Sequence, residues 1–251
     1  MKYFALKIAY NGSRFSGFAP QKNEQIRSVS ETLQEKLRSL GIDSDIIGAG
    51  RTDKGVHALG MVVGISALRC WEAERLFALL SPKLYPDIKL RAVREVDASF
   101  HARFSVISRR YYYVFSPDMP SPFLAPFVSW ERVGDVETMQ KCLQICVGVH
   151  DFALFCKSGG SAKSTTREIY RAHLRVRNRG GKVYYVAMIE GNSFLRAQIR
   201  LLMGAILATS RGEIDLDDFK AQILAQTRHY SQPASPQGLY FANARYEGIR
   251  I

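Results

Sequence analysis

The chain of 251 residues is 47% hydrophobic, a proportion that can form one large buried core or two modest ones. Lysine and arginine number 35 against 23 acidic residues, and the resulting net charge of +12 favours a polyanionic partner, of which nucleic acid is the usual example. No apolar run approaches the length of a membrane span, and the N-terminus lacks the cleavage pattern of a signal peptide, which together predict a cytoplasmic protein.

The first half of the chain alternates between strand and helix patterns. A strand is predicted over residues 3–10, where apolar residues dominate. The sequence S-V-S-E at residues 28–31 is a capping-box pattern, and apolar residues at helical spacing follow it, which predicts a helix. A short helix near residues 71–80 and a strand over residues 88–96 are predicted further along.

A polar, glycine-rich segment covers residues 48–58 and has the sequence GAGRTDKGVHA. Apolar residues flank it at 46–47 and 59–65, and such flanks are typical of buried strands. We therefore predict that residues 48–58 form a loop on a rigid scaffold, where functional sites tend to lie.

Asp53 lies in this segment next to the cations Arg51 and Lys54, with His57 close by in sequence. Nearby positive charge favours an ionised carboxylate, which can act as a nucleophile, a general base or a metal ligand. The alternative is a surface turn in which Asp53 accepts backbone hydrogen bonds and Arg51 pairs with it. The local chemistry leaves both interpretations open.

The second half of the chain also mixes strands and helices. Its predicted elements are an aromatic-rich strand, an amphipathic helix, two further helices and a final strand, over residues 107–115, 136–148, 193–209, 215–225 and 239–246. Cys142 and Cys146 lie four residues apart on the first of these helices, where buried thiols are expected rather than metal ligands. Because the four cysteines form no C-x-x-C pair, we predict no metal site.

A basic hairpin is predicted over residues 167–190. Apolar residues alternate with cations along its first strand, and Gly180-Gly181 supplies the turn. The alternating cations are Arg171, His173, Arg175 and Arg177. Clustered like charge is unfavourable unless something neutralises it, so we expect the three arginines to contact phosphates. The alternative is a merely solvated face with scattered counter-charges. The basic loop over residues 157–166, which contains Lys163, is expected to contact phosphates as well.

The order of these elements predicts the fold class. Strands and helices interleave but hairpins are common, which favours an α+β fold with mainly antiparallel sheet. The pattern divides into two α/β halves of similar size, residues 1–105 and 106–251. The first half carries the Asp53 segment, and the second carries the basic surface.

Five segments of the chain resemble motifs of one enzyme family, the tRNA pseudouridine synthases typified by the bacterial anticodon-stem-loop enzyme. Residues 48–58 are similar to its signature G-R-T-D-A-G-V-H-A, with Lys54 in place of the usual alanine. Residues 10–18 resemble its motif Y-D-G-x-x-Y-x-G-W, with three substitutions. The other three segments, residues 100–113, 192–200 and 237–241, resemble F-H-A-R-F-S…R-R-Y-x-Y, N-x-F-x-x-x-x-x-R and E-G-L-x-L.

This resemblance implies roles for particular residues. The catalytic aspartate of the family falls on Asp53, and the tyrosine that stacks on the target base falls on Tyr111. The basic residue near the catalytic aspartate falls on Arg200, and Arg196 lies four residues earlier on what is predicted to be the same helix face. The leucine that lines the uracil pocket falls on Leu239.

The resemblance also implies a fold and a reaction. The fold would be that of the pseudouridine synthases, with the two halves joined around a central active-site cleft. The reaction would convert uridine to pseudouridine at positions 38, 39 and 40 of the tRNA anticodon arm, without metal or cofactor, in a homodimer that one tRNA spans. Asp53 would attack the base, attack the sugar or remove a sugar proton, and Arg51 or Arg200 would keep it ionised and oriented. The target uridine would leave its stack and be covered by Tyr111.

Three other functions remain open. A catalytically silent RNA-binding protein would keep the basic surface but would not need a carboxylate among cations. A metal-dependent nuclease or phosphoesterase could use Asp53 and His57, but such enzymes usually gather several carboxylates or histidines around the metal. We expect His57 to order the loop through hydrogen bonds instead. The third possibility is a synthase with a different target uridine.

Overall fold

The computed structural model describes residues 1–20, 26–159, 163–249 and 251. In chain order, the strands and helices within these ranges are β1 (Lys2–Tyr10), α1 (Val29–Arg38), β2 (Ile47–Gly48), β3 (His57–Ala67), α2 (Ala73–Leu84), β4 (Ile88–Val96), β5 (Val106–Ser116), β6 (Ser129–Trp130), α3 (Val136–Ile145), β7 (Gly148–Asp151), β8 (Thr166–Arg179), β9 (Lys182–Gly191), α4 (Gln198–Ser210), α5 (Leu216–Ile223) and β10 (Leu239–Tyr246). The α+β class that the sequence predicts is confirmed. None of the described helices is long and apolar enough to span a membrane.

The chain forms two compact units. The first comprises Met1–Arg109 together with Tyr240–Ile251, and the second comprises Arg110–Leu239. These units differ from the halves expected from the sequence, 1–105 and 106–251, because the C-terminal strand packs with the first unit.

The first unit contains strands in the order β4-β1-β3-β10, with β2 beside β3. β1 is antiparallel to both β3 and β4, whereas β10 runs parallel to β3. The capping box at the start of α1 is confirmed, since the Ser28 hydroxyl accepts from the Glu31 N–H at 3.2 Å and the Glu31 carboxylate accepts from the Ser28 N–H at 2.7 Å. α1 and α2 pack against each other, and α2 packs on β4.

The second unit contains β5 from Arg110 onward and strands in the order β5-β9-β8-β7, with β6 parallel to β5. The predicted hairpin is formed by β8 and β9, whose two-residue turn places Gly180 and Gly181 at positive φ, as hairpin turns of this length require. α4 contacts α3 and α5, and twelve of its thirteen residues are buried. A helix that is apolar on all sides is expected in a core.

Helix α3 covers the outer edge of β8. The Gln144 side chain donates to the carbonyl oxygen of Ala172 at 2.8 Å, and the Gln140 side chain accepts from the N–H of Leu174 at 3.0 Å. The thiols of Cys142 and Cys146 on the same helix are buried, as predicted, and burial raises the pKa of Cys142 to about 11.

Two sequence predictions about secondary structure are wrong. β2 was expected to be a buried strand, but it has only two residues and its Ile47 is 37% exposed. α4 begins at Gln198 rather than near residue 193, because Ala197 has a left-handed φ of 61° that interrupts the helix. Strands β6 and β7 were not foreseen, since a two-residue and a four-residue strand carry too little periodicity.

Candidate active site

The loop that carries Asp53 connects β2 to β3 in the first unit. Its centre is a turn over residues 53–56, in which the Val56 N–H donates to the carbonyl oxygen of Asp53 at 3.1 Å. Gly55 is the third residue of this turn and has φ of 81°, a value that type II turns require at this position and that glycine adopts without strain. The Asp53 side chain is half-buried, whereas Arg51 is exposed. Within the described ranges, no three His, Cys, Asp or Glu side chains gather so that they could hold a metal ion.

Two hydrogen bonds fix Thr52, the residue before the aspartate. The hydroxyls of Tyr10 and Thr52 lie 2.8 Å apart, and the Phe18 N–H donates to the carbonyl oxygen of Thr52 at 3.0 Å. Both partners belong to residues 10–18, so this N-terminal segment supports the aspartate loop. Its three departures from the motif it resembles leave these two contacts in place.

Gly12 lies directly against the end of the same loop. A Cβ atom at this position would be 2.1 Å from the carbonyl oxygen of Val56, far inside van der Waals contact. Glycine is therefore the residue that permits this close approach of two backbones. The Gly12 N–H also donates to Nδ1 of His57 at 2.9 Å.

His57 begins β3 and is only 1% exposed. Because its Nδ1 accepts from Gly12, the hydrogen-bond network assigns the ring proton to Nε2 and makes the imidazole neutral. The ring stacks on Tyr240, with the ring centroids 4.8 Å apart. His57 thus makes a hydrogen bond of the kind that the sequence analysis expects, and its effect on the order of the loop stays a prediction.

We expect His57→Phe to lower the free energy of unfolding by about 1–3 kcal/mol, because the buried Gly12 N–H would lose its acceptor. His57→Asn is the matched control, since an amide oxygen can accept the same bond, and it should retain more of the stability. Urea unfolding followed by circular dichroism measures both. Equal losses in the two variants would show that ring packing on Tyr240, and not the hydrogen bond, makes the contribution.

Arg109 supports the strand end that leads into the loop, a role that the sequence did not suggest to us. The side chain is buried, and its Nε donates to the carbonyl oxygen of Ala49 at 2.8 Å. Its Nη2 donates to the carbonyl oxygen of Arg103 at 2.6 Å. A signal was present, because Arg109 lies in the R-R-Y segment that resembles the family motif.

Tyr111 lies on β5 in the second unit and is 8% exposed. Its ring meets that of Phe194 edge-on, with centroids 5.2 Å apart. Tyr113 shares this face of β5, where its hydroxyl donates to Glu131 at 2.9 Å and burial raises its pKa well above the usual value. Tyr113 is therefore a core residue, and Arg110 points to the opposite face of the sheet.

Arg200 is the residue of α4 that is not buried. Its Nε donates to the carbonyl oxygen of Ala234 at 2.8 Å, and the Ala234 N–H donates to the carbonyl oxygen of Arg200 at 2.8 Å. Gly204 permits this approach, because a Cβ there would lie 2.1 Å from the carbonyl oxygen of Gln232. The structure thus ties Arg200 to the segment that leads to Leu239, which is buried at the start of β10.

Arg196 does not share a helix face with Arg200, contrary to the sequence prediction. It lies before Ala197, whose left-handed φ separates it from α4. The exposed guanidinium of Arg196 donates to the carbonyl oxygen of Ser158 at 3.0 Å. An alanine at positive φ is uncommon, and such residues are concentrated at functional sites.

The basic hairpin contains an internal counter-charge. The Glu190 carboxylate on β9 lies 2.8 Å from the Arg110 guanidinium and 3.3 Å from that of Arg171, and its side chain is only 4% exposed. For Arg171, the alternative interpretation of a face with counter-charges therefore holds at least in part. Arg175 and Arg177 lie further along β8 and are exposed.

These arginines lie on one face of the sheet, as the alternation predicts. It is the face of Arg110, because Arg110 and Arg171 converge on the same carboxylate. Tyr111 follows Arg110 on β5 and therefore lies on the opposite face of this sheet. Within the second unit, the hairpin arginines and Tyr111 are thus not brought together.

The basic loop expected over residues 157–166 is described only in part, since residues 160–162 lie outside the described residues. Lys157 and Lys163 are both exposed. The Lys157 N–H donates to the carbonyl oxygen of Arg196 at 3.1 Å, which holds the start of this loop against Arg196.

Comparison with known proteins gives concordant results. A family model described as tRNA pseudouridine synthase matches residues 7–105 and 143–247. The tRNA pseudouridine synthase A of Helicobacter hepaticus is 43% identical over 98% of this chain and 100% of its own length. The protein of the same name from Helicobacter acinonychis is 37% identical over 98% of this chain and 100% of its own length. That from Wolinella succinogenes is 39% identical over 96% of this chain and 93% of its own length. The chain therefore belongs to the tRNA pseudouridine synthase family.

Proposed function

We propose that this enzyme isomerises uridine to pseudouridine at positions 38, 39 and 40 of the tRNA anticodon arm, with Asp53 as its catalytic carboxylate. The isomerase class follows from the family. One observation carries the assignment of Asp53: the segment GRTDKGVHA is held as an ordered loop with the aspartate at the start of its turn.

The contacts around Asp53 suit a catalytic carboxylate. Thr52 is fixed on one side of it through its hydroxyl and its carbonyl group, and Val56 closes the turn on the other side. Gly12 and His57 hold the end of the loop. A group that is already oriented needs little reorganisation during the reaction, which is the main source of electrostatic catalysis.

The reaction breaks the bond between the base and the ribose and rejoins the base through its carbon 5. Asp53 acts on the nucleotide by attack on the base, by attack on the sugar or by removal of a sugar proton. Each route needs an ionised carboxylate in a fixed position. The resemblance to the family assigns the orientation of this carboxylate to Arg51, which lies in the same loop, or to Arg200.

The target uridine has to leave its stack before it reacts, as in other base-modifying enzymes. Tyr111 stacks on the flipped base, a contact worth about 1–3 kcal/mol. Leu239 lines the uracil pocket. The buried positions of both residues and the contact of Tyr111 with Phe194 support these roles, since an apolar setting is what a flipped base requires.

Charge supports tRNA as the partner. The net charge is +12, and the exposed cations Arg175, Arg177 and Lys163 are suited to phosphate contacts. Because the hairpin arginines lie on the sheet face opposite to Tyr111, they contact a different part of the bound RNA from the target base. We further propose that the enzyme acts as a homodimer in the cytoplasm.

Mapping of pseudouridine in an unmodified tRNA transcript tests the proposal. We expect the purified protein, in buffer with a metal chelator, to form pseudouridine at positions 38, 39 and 40. A matched transcript with cytidine at these three positions should stay unmodified. Pseudouridine at other positions would show a different target, and none in any tRNA would favour the silent RNA-binding protein.

A further inference from the structure

A basic cavity of about 490 Å³ lies in the second unit beside the start of α4, a volume within the range of small-ligand sites. Lys157, Arg196 and Arg228 line it with three cations, and Ser158 and Ser231 add two hydroxyls. In the described part of the chain, no Asp or Glu lines this cavity, and neither do Tyr111, Arg200 or Leu239.

The positive charge of this cavity is not balanced by neighbouring carboxylates. Arg171 pairs with Glu190, and Arg211 pairs with Glu213 at 2.6 Å. By contrast, none of the three cavity cations has an acidic partner within 4.0 Å among the described residues. Cations that share a concave surface without counter-charges focus a positive field there, which attracts anions.

The backbone holds two of these cations in place. The Arg196 guanidinium is fixed by the carbonyl oxygen of Ser158 at 3.0 Å, and the Lys157 N–H is fixed by the carbonyl oxygen of Arg196 at 3.1 Å. Gly159 at φ of 81° lies against the same guanidinium, since a Cβ there would be 3.2 Å from its Nη1. The left-handed Ala197 directs the chain into α4 and leaves Arg196 outside the helix. An arginine fixed in this way is preorganised for phosphate oxygens.

We propose that this cavity binds a backbone phosphate of the RNA substrate through Lys157, Arg196 and Arg228. The inference rests on the proposed function, because it takes tRNA as the bound polyanion. No aromatic side chain lines the cavity in the described part of the chain, so it offers no surface on which a base could stack. Recognition is therefore of charge rather than of sequence, and the contact sets the position of the RNA on the enzyme.

Arg228→Gln is the most direct test, because Arg228 is exposed and its side chain makes no hydrogen bond within the described ranges, so its loss should not disturb the fold. We expect the Kd for a tRNA transcript to rise about five- to tenfold near 0.1 M salt, and the slope of log K against log salt to shrink by about 0.7–0.9. Lys157→Gln should have the same effect. Arg228→Lys keeps the charge and should retain the slope.

Lys220→Gln is the matched control in the same unit. It removes the same charge, but Lys220 pairs with Asp217 on α5 at 2.8 Å and does not line the cavity. The control should bind RNA like the wild type. If it loses as much affinity as Arg228→Gln, the cavity contributes only to general electrostatic attraction and the proposal is wrong.

Competition with inorganic phosphate distinguishes two possible ligands of the cavity, a phosphate of the RNA and a free anion. Titrated at constant ionic strength, it should compete with tRNA more strongly for the wild type than for Arg228→Gln. If Arg228→Gln binds tRNA normally and loses only the response to phosphate, the cavity is a site for a free anion and the proposal is overturned. The proposed function is tested by a different measurement. It is wrong, and the cavity proposal is not, if the wild type forms no pseudouridine while the effects on binding and slope are still observed.

Discussion

Asp53→Ala should abolish pseudouridine formation while the fold and the affinity for tRNA are retained. A carboxylate that bonds to the substrate or takes its proton has no substitute in alanine, so we expect the single-turnover rate to fall by about four orders of magnitude or more. The turn that contains Asp53 is closed by its backbone carbonyl group, which the substitution leaves in place. Pseudouridine in a tRNA transcript, measured with enzyme in excess, gives the rate.

Two further variants show what the result means. Asp53→Asn keeps the shape of the side chain and removes its charge, so it should be as inactive as Asp53→Ala. Asp45→Ala removes an exposed aspartate from the same unit and should retain the wild-type rate. An active Asp53→Ala enzyme would mean that Asp53 is only a turn residue, as the alternative interpretation of the sequence holds.

Gly12→Ala should have the second largest effect, through displacement of the aspartate loop. The added Cβ would lie 2.1 Å from the Val56 carbonyl oxygen, so one of the two backbones has to move by more than about 1 Å to restore van der Waals contact. A shift of about 1 Å in a catalytic group can reduce the rate about 100-fold, and overpacking costs about 1–3 kcal/mol of stability. Single-turnover kinetics and urea unfolding measure the two effects.

Gly41→Ala separates loop displacement from general loss of stability. Gly41 has φ of 75°, and no atom lies within 4 Å of the position of its Cβ, so alanine there is strained but displaces nothing. Left-handed strain costs about 1–2 kcal/mol, which is similar to the loss expected for Gly12→Ala. Gly41→Ala should therefore unfold more easily but keep its rate. If both variants lose activity equally, stability and not the position of the loop explains the loss.

The sequence predicted those parts of the fold that depend on local signals. β4 and β10 have the predicted bounds, because their periodicity is strong over eight or nine residues. The start of α1 follows from its capping box, and the turn of the basic hairpin follows from two adjacent glycines. Each of these signals lies within a few residues of the structure that it predicts.

Contacts between distant segments could not be predicted in this way. His57 was expected to order its loop, but its partner Gly12 lies 45 residues away. The buried Glu190 is 80 residues from Arg110, and no periodicity links the two. The left-handed Ala197 was also missed, because alanine favours helices and its sequence context predicted one through this position. The catalytic role proposed for Asp53 rests on resemblance, since its local chemistry fitted a surface turn equally well.

Because α3 covers the outer edge of β8, the protein should be less prone to aggregate at high concentration. An uncovered strand edge is a template on which another molecule can add a strand, and this is a common route to aggregation. The side chains of Gln144 and Gln140 already occupy the Ala172 carbonyl group and the Leu174 N–H, through which such an added strand would pair. After Leu174, β8 continues with exposed arginines, and their charge repels the same strand edge of a second molecule. The protein can thus expose a long basic hairpin and remain protected against strand addition.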